Sequence, residues 1–256
     1  MKIAICFSGL LRDLDEIDYW NSIIKKHKMD VYGSFWEVDR ESKLTFEKLN
    51  PINVEYENYN AFKESTIETF NKELFVPLWP EKNLGLDIKA LDYILKNNVL
   101  SMWYKIWRAN LMSKSQKYDI VIRTRNDIFF NELEIEKNEY LNIPWGYCSV
   151  KSWNNCGGRN DMFAYGSPEN MDYYSSLFLY LTRYLKDGEY YFPAENLLST
   201  HLNQRDLMIR LLPIHLFLSR DKQNSFNKAY GINEYEFNKS KGIKGPPDPY
   251  FSFYKK

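Results

Sequence analysis

The stretch IAICFSG at residues 3–9 decides the fold class, together with the sequence that follows it. Its first five residues form an apolar run that predicts a buried β-strand, and Ser8-Gly9 predict a turn directly after this strand. Over residues 14–27 apolar side chains recur at helical spacing, at Leu14, Ile17, Trp20 or Tyr19, Ile23 and Ile24. A strand, a glycine turn and a helix in this order are typical of the start of a doubly wound α/β domain.

The rest of the chain alternates between stretches that favour strands and stretches that favour helices. We predict strands over residues 30–36, 52–56, 119–124, 140–150, 161–165 and 207–218. We predict helices over residues 88–115, 168–184 and 193–203, with Asn97-Asn98 as a candidate break in the first of them. The run DIVIRT at 119–124 is apolar on both faces, which is typical of a central parallel strand. The sequence therefore predicts a single α/β domain with a mixed, mostly parallel central sheet flanked by helices.

We place this domain at residues 1–222. Residues 60–89 predict an irregular or partly helical insertion, because Pro77, Pro80 and Gly85 interrupt a weak periodicity. The insertion is a candidate lid or acceptor-site loop, and a structural connector explains it equally well. Residues 223–256 are polar and lack periodicity, so we expect a C-terminal extension there that is mobile or wraps around the domain.

Composition excludes several classes of partner. The chain has 34 Lys plus Arg and 34 Asp plus Glu, so we do not expect binding to nucleic acid or to an anionic lipid surface. Its three cysteines, Cys6, Cys148 and Cys156, form neither a disulfide framework nor a zinc motif, which indicates a reducing compartment. No stretch approaches the ~20 apolar residues of a membrane helix, and the N-terminal run is too short for a signal peptide. We expect a soluble, cytoplasmic protein, and its oligomeric state stays open.

Two groups of residues follow predicted strands where a phosphate could bind. After the first strand, the amides of Ser8-Gly9 can approach a phosphate and Arg12 can grip it, although a plain turn with a surface arginine explains them too. After the central strand, the spacing of Arg123, Arg125 and Asp127 places them on one side. A nucleoside diphosphate would satisfy these charges, with or without Mn²⁺ or Mg²⁺ on Asp127. The alternative is an internal salt-bridge cluster.

Two further acidic residues are candidates for acid–base chemistry. Asp161 follows Gly157-Gly158 at the start of a predicted strand, where it could act as general base or simply form a turn. Glu195 opens a predicted helix, where it could hold a sugar hydroxyl or the acceptor, or serve only the helix dipole. The histidines, including His201 and His215, are more often structural than ligands.

Six motifs resemble, in the same order, those of a group of polysaccharide-building glycosyltransferases. They are IAICFSGLLRD, DVYGSFW, SMWYKIWRAN, YDIVIRTRNDIFF, NDMFAYGSPENM and PAENLLSTHL, spread from about residue 3 to residue 220. They resemble the WavE-type lipopolysaccharide synthesis proteins and the GT-A domains of chlorella-type giant virus glycosyltransferases. The resemblance implies a GT-A fold, a UDP- or GDP-sugar donor and a glycan acceptor, in a bacterial cytoplasm or, for a viral protein, the host cytoplasm.

The resemblance also assigns roles to particular residues. The family's metal-associated acidic motif falls on Arg125-Asn126-Asp127, where only Asp127 is acidic, so this is not a standard Asp-x-Asp. The family's segment of an acidic residue, an aromatic residue, glycine and serine falls on Asp161 to Ser167. The family's helix start with Pro and Glu falls on Pro193 to Glu195. We expect Arg12, Arg123, Arg125 and a cation on Asp127 to stabilise the leaving diphosphate, with Asp161 as first and Glu195 as second choice of base. The alternatives are a sugar nucleotidyltransferase and an inactive binding protein with the same fold.

Overall fold

The computed structural model describes residues 1–11, 17–74, 98–130, 133–144, 159–186, 194–214 and 216–218. The strands are β1 (Ile3–Gly9), β2 (Met29–Trp36), β3 (Asn53–Glu57), β4 (Ile120–Thr124), β5 (Ile128–Phe130), β6 (Leu141–Pro144), β7 (Ala164–Gly166), β8 (Ile209–Leu212) and β9 (Leu216–Leu218). The helices are α1 (Ile17–His27), α2 (Arg40–Glu47), α3 (Tyr59–Leu74), α4 (Val99–Ser113), α5 (Pro168–Ser175), α6 (Leu177–Lys186) and α7 (Ala194–Asn203).

Seven of these strands form one mixed sheet in the order β3-β2-β1-β4-β7-β6-β8. The first four are parallel to one another, β7 runs antiparallel to β4 and to β6, and β6 and β8 are parallel. Strand β7 is therefore the reversed strand of an otherwise parallel sheet. Strands β5 and β9 pair with each other in a separate antiparallel ribbon.

Side-chain alternation along the strands divides the core into two clusters, one on each face of the sheet. Ala4 and Cys6 of β1 pack with helices α4 to α7, whereas Ile3, Ile5 and Phe7 pack with α1 and α2. Each cluster is apolar and almost wholly buried. A mostly parallel sheet needs this cover on both faces, so the predicted α/β class with flanking helices is confirmed.

Local signals in the sequence fix the first residues of helices α4 and α5. Asn98 adopts a left-handed conformation with φ 57°, which Asn tolerates better than most residues, and α4 begins at the next residue. Ser167 accepts a hydrogen bond from the Asn170 amide at 3.2 Å and Pro168 occupies the first turn, so α5 begins directly after β7. The break predicted at Asn97-Asn98 thus coincides with a helix start, and Asn97 itself lies outside the described residues.

Several element predictions need correction. Ser8 and Gly9 end β1 rather than follow it, and Gly9 has a φ of 113°. Residues 59–74 form a regular helix, which agrees with the partly helical alternative that we predicted for the insertion at 60–89. The stretch 168–184 contains two helices that meet at Ser176, and 207–218 contains two strands that belong to different sheets.

Two further features of the strands depend on tertiary contacts that the sequence does not encode. Strand β4 is central, but only β1 is its parallel neighbour, because β7 on its other side is reversed. The short strand β5 was not predicted, since three residues are too few to show a period.

The extension at 223–256 and residues 75–89 of the insertion lie outside the described residues. Among the helices that are described, none combines the length and apolarity needed to cross a membrane.

Candidate functional site

The sheet has a topological switch point between β1 and β4. The chain proceeds from β1 outward to β2 and β3, and then returns to place β4 on the other side of β1. In open α/β sheets ligands bind beyond the carboxyl ends of the strands at such a point. The residues that lie there are Ser8 and Gly9 of β1 and Arg123 and Thr124 of β4, followed by Arg125.

Within the described part of the chain, the end of β1 has open space at this edge. A Cβ atom built on Gly9 would meet no heavy atom of the described residues within 4 Å. The preceding Ser8 is buried, and its Oγ makes no hydrogen bond within the described part of the chain. Gly9 therefore lets the chain turn away from the sheet without a side chain that would fill the edge. Arg12, the third residue predicted here, lies outside the described residues.

The turn after β4 contains a closed ion pair. Arg125 donates from Nε to Oδ1 of Asp127 at 2.7 Å and from Nη2 to Oδ2 at 2.6 Å, which is the strong bidentate geometry. The Asp127 side chain is only 2% exposed, whereas that of Arg125 is 25% exposed. For these two residues the internal salt bridge that we considered as an alternative is present. The period-two alternation ends at Thr124 with the strand, so it does not align Arg123 with this pair.

The same pair bears on the predicted cation. Both carboxylate oxygens of Asp127 accept from Arg125, and a cation there would compete with a guanidinium. Among the described residues, no group of three or more His, Cys, Asp or Glu side chains is placed to hold a metal ion. The described residues thus do not fit a metal site at Asp127. Mn²⁺ or Mg²⁺ stays a prediction from the sequence, and no step below uses it.

Asp161 reaches this edge because β7 is reversed. Ala164, the first residue of β7, pairs with Arg123 near the end of β4, so the residues before Ala164 lie at the carboxyl edge. Asn160 shapes this approach, since its Oδ1 accepts from the Met162 amide at 2.9 Å. Asp161 itself is 8% exposed, and the hydroxyl of Tyr174 donates to its backbone carbonyl at 3.5 Å. Asp161, which is 38 positions away from Arg123 in the sequence, thus lies at the same edge of the sheet.

Burial and charge act on Asp161 in opposite directions. Burial raises the pKa of its carboxyl, while Arg123 and, to a lesser extent, Arg125 lower that pKa, and the net shift is upward. Arg123 is 3% exposed, and burial lowers the pKa of its guanidinium. Within the described part of the chain, Nε and Nη1 of Arg123 have no hydrogen-bond partner. Such a combination of desolvation and charge is more frequent at functional sites than elsewhere.

Glu195 is connected to the same segment. The amide of Arg159 donates to the Glu195 carbonyl at 3.0 Å, so the first turn of α7 lies against the approach to β7. The side chain of Glu195 is partly exposed. The structure therefore brings Ser8, Gly9, Arg123, Arg125, Asp127, Asp161 and Glu195 to one edge of the sheet. Gly157, Gly158, Pro193 and His215 lie outside the described residues.

Two aromatic residues of the site were missed by sequence reasoning. Trp20 donates from Nε1 to the Asn126 carbonyl at 3.2 Å and so anchors the turn that holds Arg125 and Asp127. Tyr174 lies on α5 next to Asp161 and Arg123. In the sequence both are apolar positions of a helix, and no local signal separates them from core residues.

A second polar cluster, which the sequence analysis also missed, ties β3 to α4. The ammonium of Lys105, whose side chain is fully buried, pairs with Glu57 and lies 3.8 Å from Glu55. Arg108 donates to both oxygens of Glu55 at 3.0 and 2.5 Å, and Tyr104 donates to Glu57 at 3.0 Å. Every charge in this cluster has an opposite partner, which is typical of a structural network.

His201 has a structural position, in keeping with our expectation. It is fully buried on α7, where Nδ1 is 2.9 Å from the Tyr184 hydroxyl and Nε2 is 2.8 Å from the Tyr173 carbonyl. Burial lowers its pKa to about 4, so the ring is neutral at pH 7.

No family model matches the chain, and no curated protein matches it either. The resemblance to glycosyltransferases therefore depends on the six motifs alone. In the structure these motifs fall on β1, β2, α4, β4 with β5, the approach to β7 with α5, and α7.

Proposed function

We propose that the chain is a glycosyltransferase of the GT-A type, which moves a sugar from a nucleoside diphosphate to a hydroxyl of a glycan acceptor. The observation that carries this proposal is that the segment of Asp161 lies at the carboxyl edge of β4, where Arg123 and Arg125 also lie, so that their charges act on its carboxyl. Positive charge and a carboxylate from distant segments are what a reaction with an anionic leaving group and a proton-releasing nucleophile requires.

The leaving group would be stabilised from the turn after β4. As the bond between the anomeric carbon and the phosphate oxygen breaks, its electron pair goes to that oxygen, and the diphosphate gains negative charge. Arg125 is partly exposed there, and its bonds to Asp127 use Nε and Nη2, so Nη1 is the nitrogen that they leave. A preorganised guanidinium of this kind stabilises charge without reorganisation at the moment of reaction.

The acceptor hydroxyl would be activated by Asp161. Its carboxylate takes the hydroxyl proton while the oxygen forms its bond to the anomeric carbon, so charge and protons balance. Burial raises the pKa of this carboxyl, which makes its carboxylate a stronger base than an ordinary surface aspartate. Glu195, tied to the same segment through Arg159, is the second candidate for the base or for holding an acceptor hydroxyl.

The direct test is incubation of the purified chain with a panel of UDP- and GDP-sugars, with and without Mn²⁺. Release of the nucleoside diphosphate from one donor, together with a rise in Tm for that donor, would support a transferase. Formation of a nucleotide-sugar from a nucleoside triphosphate and a sugar 1-phosphate would instead show a nucleotidyltransferase. A rise in Tm with no turnover on any donor or acceptor would show an inactive binding protein.

A further inference from the structure

Arg123 does not face the open edge as Arg125 does. Its position opposite Cys6 in β1 and Ala164 in β7 places it on the face of β4 that α4 and α5 cover. Its exposed fraction is 3%, whereas the Arg125 side chain is 25% exposed. A diphosphate held at the edge would therefore meet Arg125 before it met Arg123.

Among the described residues, no carboxylate forms an ion pair with the guanidinium of Arg123. In the described residues, neither its Nε nor its Nη1 makes a hydrogen bond, and no carboxylate lies within salt-bridge distance of it. The groups that act on it at longer range are Tyr174 on α5, Asp161 before β7, and Arg125 and Asp127 in the turn after β4. Arg125 and Asp127 neutralise each other, and burial raises the pKa of the Tyr174 phenol and keeps it neutral, so among these groups Asp161 is the remaining anion.

The carboxyl of Asp161 is likewise buried, and the positive charge of Arg123 acts on it. The backbone carbonyl of Asp161 is held by Tyr174, and Arg123 is the largest of the charges that oppose the desolvation of its carboxyl, ahead of Arg125. A buried carboxylate without a cation nearby tends to take up a proton, and a protonated carboxyl cannot serve as a base. Two buried, opposite charges from β4 and from the approach to β7 thus depend on each other.

We propose that Arg123 is a positioning residue that acts through Asp161, as the buried positive charge that keeps this carboxylate ionised and able to accept a proton. The proposal builds on the proposed function, since it supplies the reason why Asp161 works as the base. It differs from the sequence-based expectation that Arg123 binds the donor.

The two roles predict different kinetics for Arg123→Gln. If Arg123 acts through Asp161, the acidic limb of the pH profile of kcat/KM moves upward by roughly one pH unit or more. Activity below the limb then falls about tenfold and returns at higher pH, while the donor Kd stays within about threefold. Arg123→Lys keeps the charge, and because Nε and Nη1 make no hydrogen bonds here, it should retain the wild-type limb.

Two results would overturn the proposal. A donor Kd raised about thirtyfold in Arg123→Gln with an unmoved pH limb would show that Arg123 binds the donor. Equal loss of activity in Arg123→Lys and Arg123→Gln at every pH would show that only the shape of the arginine matters. Should Arg123→Gln fail to fold, Arg123→Met replaces it, because it fills a similar buried volume without a polar group.

A titration separates this inference from the proposed function. The carboxyl carbon of Asp161 can be followed by NMR in the substrate-free chain labelled with 13C-aspartate, with its signal assigned by its loss in Asp161→Asn. An upward move of its titration midpoint in Arg123→Gln, and not in Arg123→Lys, supports the proposal whether or not any donor is turned over. An unchanged midpoint in Arg123→Gln would refute it even in an active transferase.

Discussion

Asp161 is the single residue on which the proposed chemistry depends most. Replacement by Asn keeps the size of the side chain and removes the proton-accepting charge, so we expect transfer to fall by about 10²–10⁴-fold. Donor binding should persist, because Arg125 and the end of β1 remain in place. Transfer rates and calorimetric donor affinity measure the two effects separately.

The matched control for this prediction is Asp206→Asn. Asp206 is an exposed aspartate in the loop before β8, far along the chain from the turn after β4. The Asp206→Asn variant should transfer sugar at the wild-type rate. If Asp161→Asn also keeps that rate, Asp161 is not the base.

Gly33 shows how tightly the core on the α1 side is packed. A Cβ atom added to it in β2 would lie 2.6 Å from Cε2 of Phe35 and 2.9 Å from Cε1 of Phe46. The two rings are themselves in edge contact, with centroids 4.7 Å apart. We expect Gly33→Ala to lower the free energy of unfolding by about 1–3 kcal/mol through overpacking, as measured by urea denaturation.

Gly9→Ala is the control, since it adds the same methyl group at a position where no atom of the residues that the structure describes lies within 4 Å. Its penalty should come only from the φ of 113° and should be about 1–3 kcal/mol. In a Phe46→Leu background the penalty of Gly33→Ala should shrink, while that of Gly9→Ala should not change. Equal shrinkage of both would argue against a local clash at Gly33.

His201 makes stability depend on pH. Its folded-state pKa of about 4 lies below the ordinary value of 6.5, so the folded state prefers the neutral ring. This preference adds up to about 3 kcal/mol to the free energy of unfolding. The contribution is fully present above pH 6.5 and is lost as the pH falls toward 4. Urea denaturation of wild type and His201→Gln from pH 7.5 to 4.5 should show a shallower pH dependence in the variant. Parallel curves would contradict this.

At the scale of elements, the ion cluster decides how α4 is fixed to β3. Glu57→Gln would leave the fully buried ammonium of Lys105 with Glu55 at 3.8 Å as its remaining carboxylate. Removal of one partner from a buried pair costs about 3–5 kcal/mol when the other charge is left alone, and the carboxylate of Glu55 should reduce this cost here. Lys105→Met should cost less, because the Glu57 side chain that it leaves unpaired is 34% exposed and can be hydrated.

The double variant Lys105→Met/Glu57→Gln completes this test. It leaves no unpaired charge, so it should unfold at a higher urea concentration than Glu57→Gln alone. The order of stability predicted from denaturation midpoints is wild type, then Lys105→Met, then Glu57→Gln. The reverse order of the two single variants would show that the ammonium tolerates burial without Glu57.

At the scale of the whole molecule, the two core clusters share one sheet. Cys6 of β1 belongs to the cluster under α4, while Ile5 and Phe7 of the same strand belong to the cluster under α1. Neither cluster can be dismantled while the other keeps its strands. We therefore expect a single unfolding transition, with coincident midpoints by far-UV circular dichroism and tryptophan fluorescence. Two separate transitions would show that the chain folds as two units.

Much of this architecture was predictable because it is encoded locally. The apolar run at residues 3–7, the apolar stretch 119–124 and the helix signals around Pro168 each predict an element that the structure contains. Short apolar runs and helix start signals of this kind can be recognised because they depend only on residues that are close together along the chain. Strand β5 and the division of 207–218 into β8 and β9 were missed, since pairing with distant strands defines them.

The sequence by itself determined the type and order of the main elements and that charged residues follow the strand ends, because both depend on neighbours along the chain. Only the tertiary structure decided that Arg125 forms an ion pair with Asp127, that Arg123 is buried on the face that α4 and α5 cover, and that the segment of Asp161 lies at the same edge of the sheet. The reason is the reversal of β7, which brings residue 161 to the edge where β4 ends. Strand direction follows from long-range packing, and no local pattern encodes it.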